Sequence, residues 1–410
     1  MPLDFKHTTL PNGLNILAET NDDAHTAAVG FFVKTGARDE TPGVMGVSHF
    51  LEHMMFKGTE RRSADDVNRE FDEIGANYNA FTSHEQTVYY AHVLPEMLPQ
   101  AVDLFADMLR PSLRGDDFDM EKKVILEEIG MYDDRPEWRL HDRLLEEHFG
   151  EHGLGYRVLG TTDTVGDLTA TQMRAYFEQR YSPDNLVVAA AGRVDFDQLC
   201  ADLDQRCGNW LPTDASRDYL DPPKTDKRVT LDDDKVTRHY LAMLCEGPSA
   251  QDPLRYPAKV LADVLGDSDG SRLYWALVDK GLADEADFSM MPHDGCGQFF
   301  AYASCDPKRA EQVEQKLLAT IDAVVGDGFD ITVEEVDRAK NKLATKATLQ
   351  GERPAGRMQA LGSHWNYHGR YLPLTEELDR LMAVTVEEVR QVMERYPLTP
   401  RTIATLGPAQ

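Results

Sequence analysis

The sequence predicts an α+β fold made of two homologous domains, each a mostly antiparallel sheet backed by helices. Three observations lead to this prediction. The chain has 410 residues, which is too long for one ordinary hydrophobic core. Predicted strands occur in runs and predicted helices occur in runs, an order typical of α+β folds. Several elements of the first half also recur in the second half.

The first predicted elements are strands. Residues 5–19 read as strand, turn and strand, with the turn at Pro11–Gly13. His25–Gly36 is a longer apolar strand, dense enough to be central in a sheet. Ser63–Gly75 is a helix that opens on a serine cap and closes on glycine. Gly75–Val93 is rich in Tyr, Phe, Thr and Val, and predicts two strands or one long bent strand.

The rest of the first half alternates helices with one buried strand. The strand is Asn185–Gly192. The amphipathic helices are Pro95–Leu109, Asp116–Tyr132, Glu137–Phe149 and Leu168–Tyr181. Leu211–Arg228 is polar, rich in proline and without periodicity, which indicates a linker. The predicted domains are therefore residues 1–212 and 228–410, joined by a linker at 213–227.

The second half repeats this pattern. The helix Leu168–Tyr181 has a counterpart about half the chain later at Val384–Tyr396. The strand that follows it has a counterpart at Arg401–Gly407. Several elements match in order, type and spacing, which is more than two unrelated helices with the same period would show. The sequence thus predicts an internal duplication.

One segment carries the chemistry. Gly46–Gly58 reads GVSHFLEHMMFKG and contains His49, Glu52 and His53 in the pattern H-x-x-E-H. On a helix, the two histidines lie one turn apart on the same face, which is half of a zinc site. Glu52 is placed to take a proton from water at that zinc, as in the inverted zincin motif.

The second copy has no such motif. Its counterpart segment, Arg255–Leu273, lacks two histidines four residues apart and a glutamate beside them. We therefore expect one copy to carry the chemistry and the other to serve as a partner surface.

A catalytic zinc site needs a third protein ligand. The helix Asp116–Tyr132 offers Glu121, Glu127 and Glu128. Glu121 and Glu128 are two turns apart and share a face, whereas Glu127 points about 100° away from Glu128. The spacing predicts that one of Glu121 and Glu128 binds the metal and the other lies behind it. It also predicts that Glu127 lies on the surface. The alternative is an ordinary charged amphipathic helix.

Composition narrows the class of protein. The chain has 43 basic and 71 acidic residues, a net charge of −28, which argues against a nucleic-acid partner. The charge favours basic or neutral peptides as substrates, or serves only to keep the surface solvated. No apolar run is long enough to span a membrane. The chain has five cysteines, none with C-x-x-C spacing, which predicts reduced thiols. No signal peptide is visible, which predicts a cytoplasmic protein.

The chain resembles the M16 (pitrilysin-type) zinc metallopeptidases, especially the small subunits like the mitochondrial processing peptidase and its bacterial relatives. The resemblance runs through almost the whole chain. The matching segments are LPNGLNI, GVSHFLEHMMFKGT, GANYNAFTSHEQTVYY, EKKVILEEIGMYDDRPEW, GLGYRVLGT and YSPDNLVV.

The resemblance implies a fold of the LuxS/MPP-like metallohydrolase type and a zinc-dependent endopeptidase. It implies one zinc per chain held by His49, His53 and Glu128. Glu52 would be the catalytic base, and Glu121 would be an auxiliary acidic residue near the metal, counted with the catalytic residues. Chains of this length in the family form dimers, so we expect a homodimer, with a heterodimer as the alternative.

The resemblance also implies a substrate strand within Asn77–Thr82. A peptide would be held as an added β-strand, in a chamber between the two halves. The candidate substrate-binding residues are Asn77, Asn79, Ala80, Phe81 and Thr82. Glu85 and Tyr89 could orient the ligating imidazoles, or could simply pack.

One departure opens a second hypothesis. Active family members carry an Arg and a Tyr seven residues apart in the second domain, which hold the substrate. Here Val278 and Asp284 fall at those places, with one residue missing between them. The alternative function is therefore a weakly active or inactive peptide-binding subunit that supports a partner chain.

Overall fold

A computed structural model describes residues 4–409 of the chain. The strands are β1 Asp4–Thr9, β2 Asn15–Thr20, β3 Ala27–Val33, β4 Asn77–Thr82, β5 Thr87–Val93, β6 Leu186–Gly192, β7 Lys227–Asp232, β8 His239–Glu246, β9 Glu285–Pro292, β10 Gly297–Cys305 and β11 Arg401–Gly407. The helices of the first half are α1 Val47–Met55, α2 Ala64–Glu73, α3 Leu98–Met108, α4 Gly115–Asp133, α5 Pro136–Phe149, α6 Thr162–Asp167, α7 Ala170–Arg180 and α8 Phe196–Cys207. The later helices are α9 Arg255–Gly266, α10 Ala310–Asp322, α11 Val333–Gly351, α12 Pro354–His368, α13 Leu374–Met382 and α14 Val386–Arg395.

The first sheet has six strands in the order β1-β2-β6-β3-β5-β4. Its neighbours pair antiparallel except β2 and β6, which run parallel. The apolar strand β3 lies in the interior of the sheet and is buried along its whole length, as its composition predicts. The segment Gly75–Val93 forms two strands, and β4 is an edge of the sheet.

The second sheet repeats this topology. Its order is β7-β11-β8-β10-β9, which matches β2-β6-β3-β5-β4 strand for strand. The parallel pair recurs as β7 and β11, and the remaining pairs are antiparallel. The predicted α+β fold with two sheets backed by helices is confirmed.

The two compact units are interleaved along the chain. One unit contains residues 1–130, 156–218 and 349–372, and the other contains 131–155, 219–348 and 373–410. The sequence predicts continuous domains, and those boundaries stay a prediction. The observed units are interleaved because each sheet is covered by one helix from the other half of the sequence: α12 covers the first sheet and α5 covers the second.

Each of these two helices has an apolar face against its sheet. In the first unit, Met358 and Leu361 of α12 pack in a buried cluster with Leu17, Ala28 and Phe32. The helix is also tied to β2, because Arg357 donates a hydrogen bond to Glu19 at 2.6 Å in a buried ion pair. In the second unit, the apolar face of α5 packs on β8 and β11. The buried cluster includes Leu140, Leu144 and Leu145 of α5, Leu244 of β8 and Leu406 of β11.

The predicted linker has no helix or strand until β7 begins at Lys227. It is nevertheless anchored, because the buried Arg217 pairs with Asp39 at 2.8 Å. Polar composition therefore does not make this segment a free tether. Within residues 4–409, no helix is both long and apolar enough to cross a membrane.

Candidate metal centre

The helix that carries the motif, α1, is fixed at its N-terminus. Gly46 has φ +92°, and a Cβ at this position would lie 2.6 Å from the carbonyl oxygen of Leu159. Glycine is therefore required here. The Glu40 carboxylate accepts hydrogen bonds from the backbone N–H groups of Gly46 and Ser48, both at 2.7 Å. Burial raises the pKa of Glu40 to about 8, against the lowering effect of these two hydrogen bonds.

Three side chains from two helices converge. Nε2 of His49 lies 3.9 Å and Nε2 of His53 lies 3.6 Å from Oε2 of Glu128. One ligand atom from each of these residues lies within 4.8 Å of the others. Glu127 is exposed, as its helical position predicts. The structure thus brings together the three residues implied as zinc ligands.

Glu121 lies behind His53. Nδ1 of His53 is 2.9 Å from Oε1 of Glu121, and the other carboxylate oxygen is 2.5 Å from Nζ of Lys57. The His53 Nδ1–H therefore donates to Glu121, and Nε2 faces Glu128. Burial by itself would raise the pKa of Glu121, but the hydrogen bonds from His53 and Lys57 lower it overall. Glu121 is therefore ionised at neutral pH.

The donor set fits a divalent cation. Burial, together with the neighbouring His53, lowers the pKa of His49 to about 3, so this imidazole is neutral. Its Nδ1 is buried and has no hydrogen-bond partner among residues 4–409. Burial lowers the pKa of His53, but the hydrogen bond to Glu121 and the charges of Glu128 and Glu52 raise it overall. Its Nε2 lies 3.6 Å from the Glu128 oxygen, too far for a hydrogen bond. Two imidazoles and one carboxylate are the ligand types that zinc takes in catalytic sites.

Glu52 stands beside these ligands without joining them. Its carboxylate accepts a hydrogen bond from the Thr82 hydroxyl at 2.5 Å. Burial raises the pKa of Glu52, and the Thr82 hydrogen bond partly offsets that rise. The Tyr89 hydroxyl is fully buried and pairs with that of Tyr181 at 2.9 Å. The Tyr89 ring centre lies 6.4 Å from that of Phe56, and a role of Tyr89 in orienting an imidazole stays a prediction.

The edge strand β4 runs past Glu52. Tyr78, Ala80 and Thr82 face the core side, where Tyr78 stacks on Phe71 with ring centres 4.1 Å apart. Asn77 and Asn79 are exposed on the opposite face, which also carries Phe81. The Oδ1 atom of Asn79 accepts the Ala80 N–H at 2.9 Å.

Glu85 belongs to a buried ion cluster. It accepts hydrogen bonds from Arg38 at 2.6 Å and from the Tyr367 hydroxyl at 3.0 Å. Arg217 lies 3.7 Å from the same carboxylate. The role of Glu85 in orienting an imidazole stays a prediction.

Two residues at the site were not singled out by the motif. Glu40 accepts hydrogen bonds at the start of α1, and the sequence marks it only as an acid six residues before a glycine. Lys57 contacts Glu121, and the sequence marks it only as a lysine four residues after His53. Neither signal is specific without the fold.

The second unit carries the residues that replace the expected Arg and Tyr. Val278 ends a π-helical turn at Tyr274–Val278, and Asp284 forms an ion pair with Arg238. An aliphatic and an acidic side chain thus stand where the family pattern has a cation and a phenol.

A histidine pair in the inverted zincin order, completed by a glutamate from a second helix in an α+β fold, defines the class of M16-type metallohydrolases. Family models support this class along the chain. The model of insulinase (peptidase family M16) matches residues 15–162, and that of the peptidase M16 inactive domain matches residues 167–343. The chain belongs to peptidase family M16.

Relatives agree over the full length. An uncharacterized zinc protease of Mycobacterium tuberculosis is 36% identical over 98% of this chain and 93% of the relative. An uncharacterized zinc protease of Bacillus subtilis is 32% identical over 99% of this chain and 98% of the relative. The crystal structure of a protease from Helicobacter pylori has a TM-score of 0.94 at 23% identity, with 99% of this chain and 100% of that chain covered. These findings support a zinc metalloprotease, and the last one supports the fold.

Proposed function

We propose that this protein is a zinc-dependent endopeptidase that cleaves peptides or unfolded segments. The observation that carries the proposal is the convergence of His49, His53 and Glu128 within 4.8 Å, with the carboxylate of Glu52 beside them. The zinc proteases among the relatives support the same activity.

One zinc ion per chain would be held by His49, His53 and Glu128. When bound, zinc supplies a Lewis acid that polarises a peptide carbonyl and lowers the pKa of water. Glu121 keeps His53 in the tautomer whose Nε2 can ligate.

Glu52 is the general base and acid. It accepts the proton of the attacking water and passes it to the leaving amine nitrogen. Its raised pKa brings its proton affinity closer to neutral pH, which suits both directions of transfer. Thr82 holds the carboxylate in place through its hydroxyl.

The substrate is held as an added strand on β4. An edge strand presents N–H and C=O groups that can pair with another chain. Because Thr82 of β4 contacts Glu52, a peptide paired along Asn77–Thr82 passes next to the general base. Asn77, Asn79 and Phe81 share one face and Ala80 the other, and these side chains would set the preference for substrate residues.

A second candidate function is a weakly active or inactive peptide-binding subunit. Val278 and Asp284 favour it, because neither can donate to a substrate carbonyl as an arginine or tyrosine would. Enclosure of the substrate between the two halves, dimer formation and a cytoplasmic location stay predictions.

The test is incubation of the purified protein with unstructured basic peptides, with and without zinc chelation. A Glu52→Gln variant, which cannot accept the proton, is run beside it. We expect chelation to abolish cleavage and Glu52→Gln to lower kcat by about 10²–10⁴-fold while zinc stays bound. Cleavage that survives in Glu52→Gln would contradict the mechanism. Stoichiometric zinc without cleavage of any peptide would favour the second candidate.

A further inference from the structure

Lys57 occupies a fixed position beside the metal centre. It lies in the turn two residues beyond the end of α1, and its backbone N–H donates to the Met54 carbonyl at 3.1 Å. Its own carbonyl accepts a hydrogen bond from Nη2 of Arg114 at 2.6 Å. The next residue, Gly58, has φ +98°, and a Cβ there would lie 2.5 Å from the Arg62 carbonyl oxygen. The turn that presents Lys57 is therefore held on both sides.

The side chain of Lys57 shares a carboxylate with a metal ligand. Lys57 lies four residues after His53, in the turn beyond α1. The two oxygens of Glu121 are divided between them: Oε1 lies 2.9 Å from His53 Nδ1, and Oε2 lies 2.5 Å from Lys57 Nζ. The Glu121 side chain is only 5% exposed, so little water is available to replace the ammonium group.

This division explains which glutamate completes the site. Glu121 and Glu128 lie on the same face of α4 and both contact His53. With each oxygen of Glu121 already engaged by a donor, this carboxylate has no free oxygen directed at the metal. The Glu128 oxygen, by contrast, lies 3.6–3.9 Å from both Nε2 atoms. Without Lys57, one oxygen of Glu121 would be released, and the carboxylate could rotate away from His53.

We propose that Lys57 is a positioning residue of the zinc centre, whose ammonium group holds Glu121 against His53 and outside the set of metal ligands. The proposal rests on the proposed function, because it takes His49, His53 and Glu128 as the zinc ligands. Lys57 acts on the metal only through Glu121.

The test measures zinc affinity by competition with a chromophoric chelator, using the full chain. We expect Lys57→Met to weaken zinc binding and to lower kcat, each by about 10-fold, as is typical for partners that orient ligands. Lys57→Arg keeps a cation at the same place and should stay within about 3-fold of the parent protein. The matched control is Lys123→Met, which removes the same charge from an exposed position on α4 and should change neither quantity.

A double-variant cycle separates this role from a general effect on folding. In a Glu121→Gln background, Lys57→Met should change zinc affinity by less than about 2-fold, because the group through which it acts is already altered. An equal loss in both backgrounds, or parent-like affinity in Lys57→Met, would overturn the proposal. If the parent protein binds no zinc, the proposed function fails instead, so the two failures are distinguishable.

Discussion

Three carboxylates within one site have different surroundings and therefore different tasks. Burial raises the pKa of Glu52, which suits the proton transfer proposed for it. Two donors lower the pKa of Glu121 against the effect of burial, which fixes it as an acceptor behind His53. Glu128 faces two imidazole nitrogens. The residue type is the same in all three cases, and the neighbours assign the role.

A prediction at this scale concerns Thr82. We expect Thr82→Val to lower kcat about 10-fold at neutral pH, because the hydroxyl that orients and stabilises the ionised Glu52 is lost. Without this hydrogen bond the pKa of Glu52 rises further, so a smaller fraction is ionised at a given pH. The rise of kcat with pH should then shift to higher pH. Measurement of kcat against pH checks both effects.

The conservative variant supplies the control. Thr82→Ser retains a hydroxyl and should keep the pH profile of the parent protein, and all variants should bind zinc equally. An unchanged profile in Thr82→Val would mean that the hydroxyl does not act on Glu52.

At the scale of elements, helices complete sheets that are remote from them in sequence. On α5, the buried His148 packs at the second sheet, where its Nδ1 lies 3.0 Å from the Thr402 hydroxyl and 3.2 Å from that of Thr225. Burial, with a smaller effect of the nearby Lys227 charge, lowers the pKa of His148 to about 4. The folded protein therefore holds this imidazole neutral.

This lowered pKa predicts a pH dependence of stability. Below its ordinary pKa of about 6.5 the unfolded chain takes up a proton that the folded chain does not, so stability is lost as pH falls from about 6.5 towards 4. Between pH 7 and 5, His148→Gln should lose on the order of 2 kcal/mol less stability than the parent protein. Urea unfolding at both pH values measures the difference. His25→Gln, at an exposed histidine, should behave as the parent; parallel losses in all three proteins would contradict the prediction.

At the scale of the whole molecule, the two compact units do not coincide with the duplicated halves of the sequence. The strands of the second sheet lie between Lys227 and Gly407, and residues 131–155 belong to the same compact unit. The apolar face of α5, with Leu140 and Leu144, covers strands β8 and β11. Without that helix, a contiguous apolar surface of the sheet would be exposed to water.

Fragments of the chain test this arrangement. We expect residues 228–410 expressed alone to aggregate or to unfold without cooperativity, because α5 is missing. A fragment of residues 131–410 includes α5 and should recover a cooperative transition, which near-UV circular dichroism with urea can follow. Equal cooperativity in both fragments would show that α5 is dispensable for the second sheet.

The sequence by itself determined much of the site and of the fold. Periodicity located α4, and apolar runs located β3 and β6, because burial imposes a pattern on side chains. The spacing of His49, Glu52 and His53 indicated zinc chemistry, and helical geometry separated Glu127 from Glu121 and Glu128. The internal repeat predicted two similar sheets, and the family assignment is confirmed.

Only the tertiary structure decided how distant segments meet. Spacing along α4 paired Glu121 with Glu128 but could not show that Lys57 engages one oxygen of Glu121 while His53 engages the other. Nor could a continuous repeat show that α5 and α12 cover the sheets of the opposite halves. The physical reason is that local pattern records which face of an element is buried, whereas the partner of that face depends on the path of the whole chain.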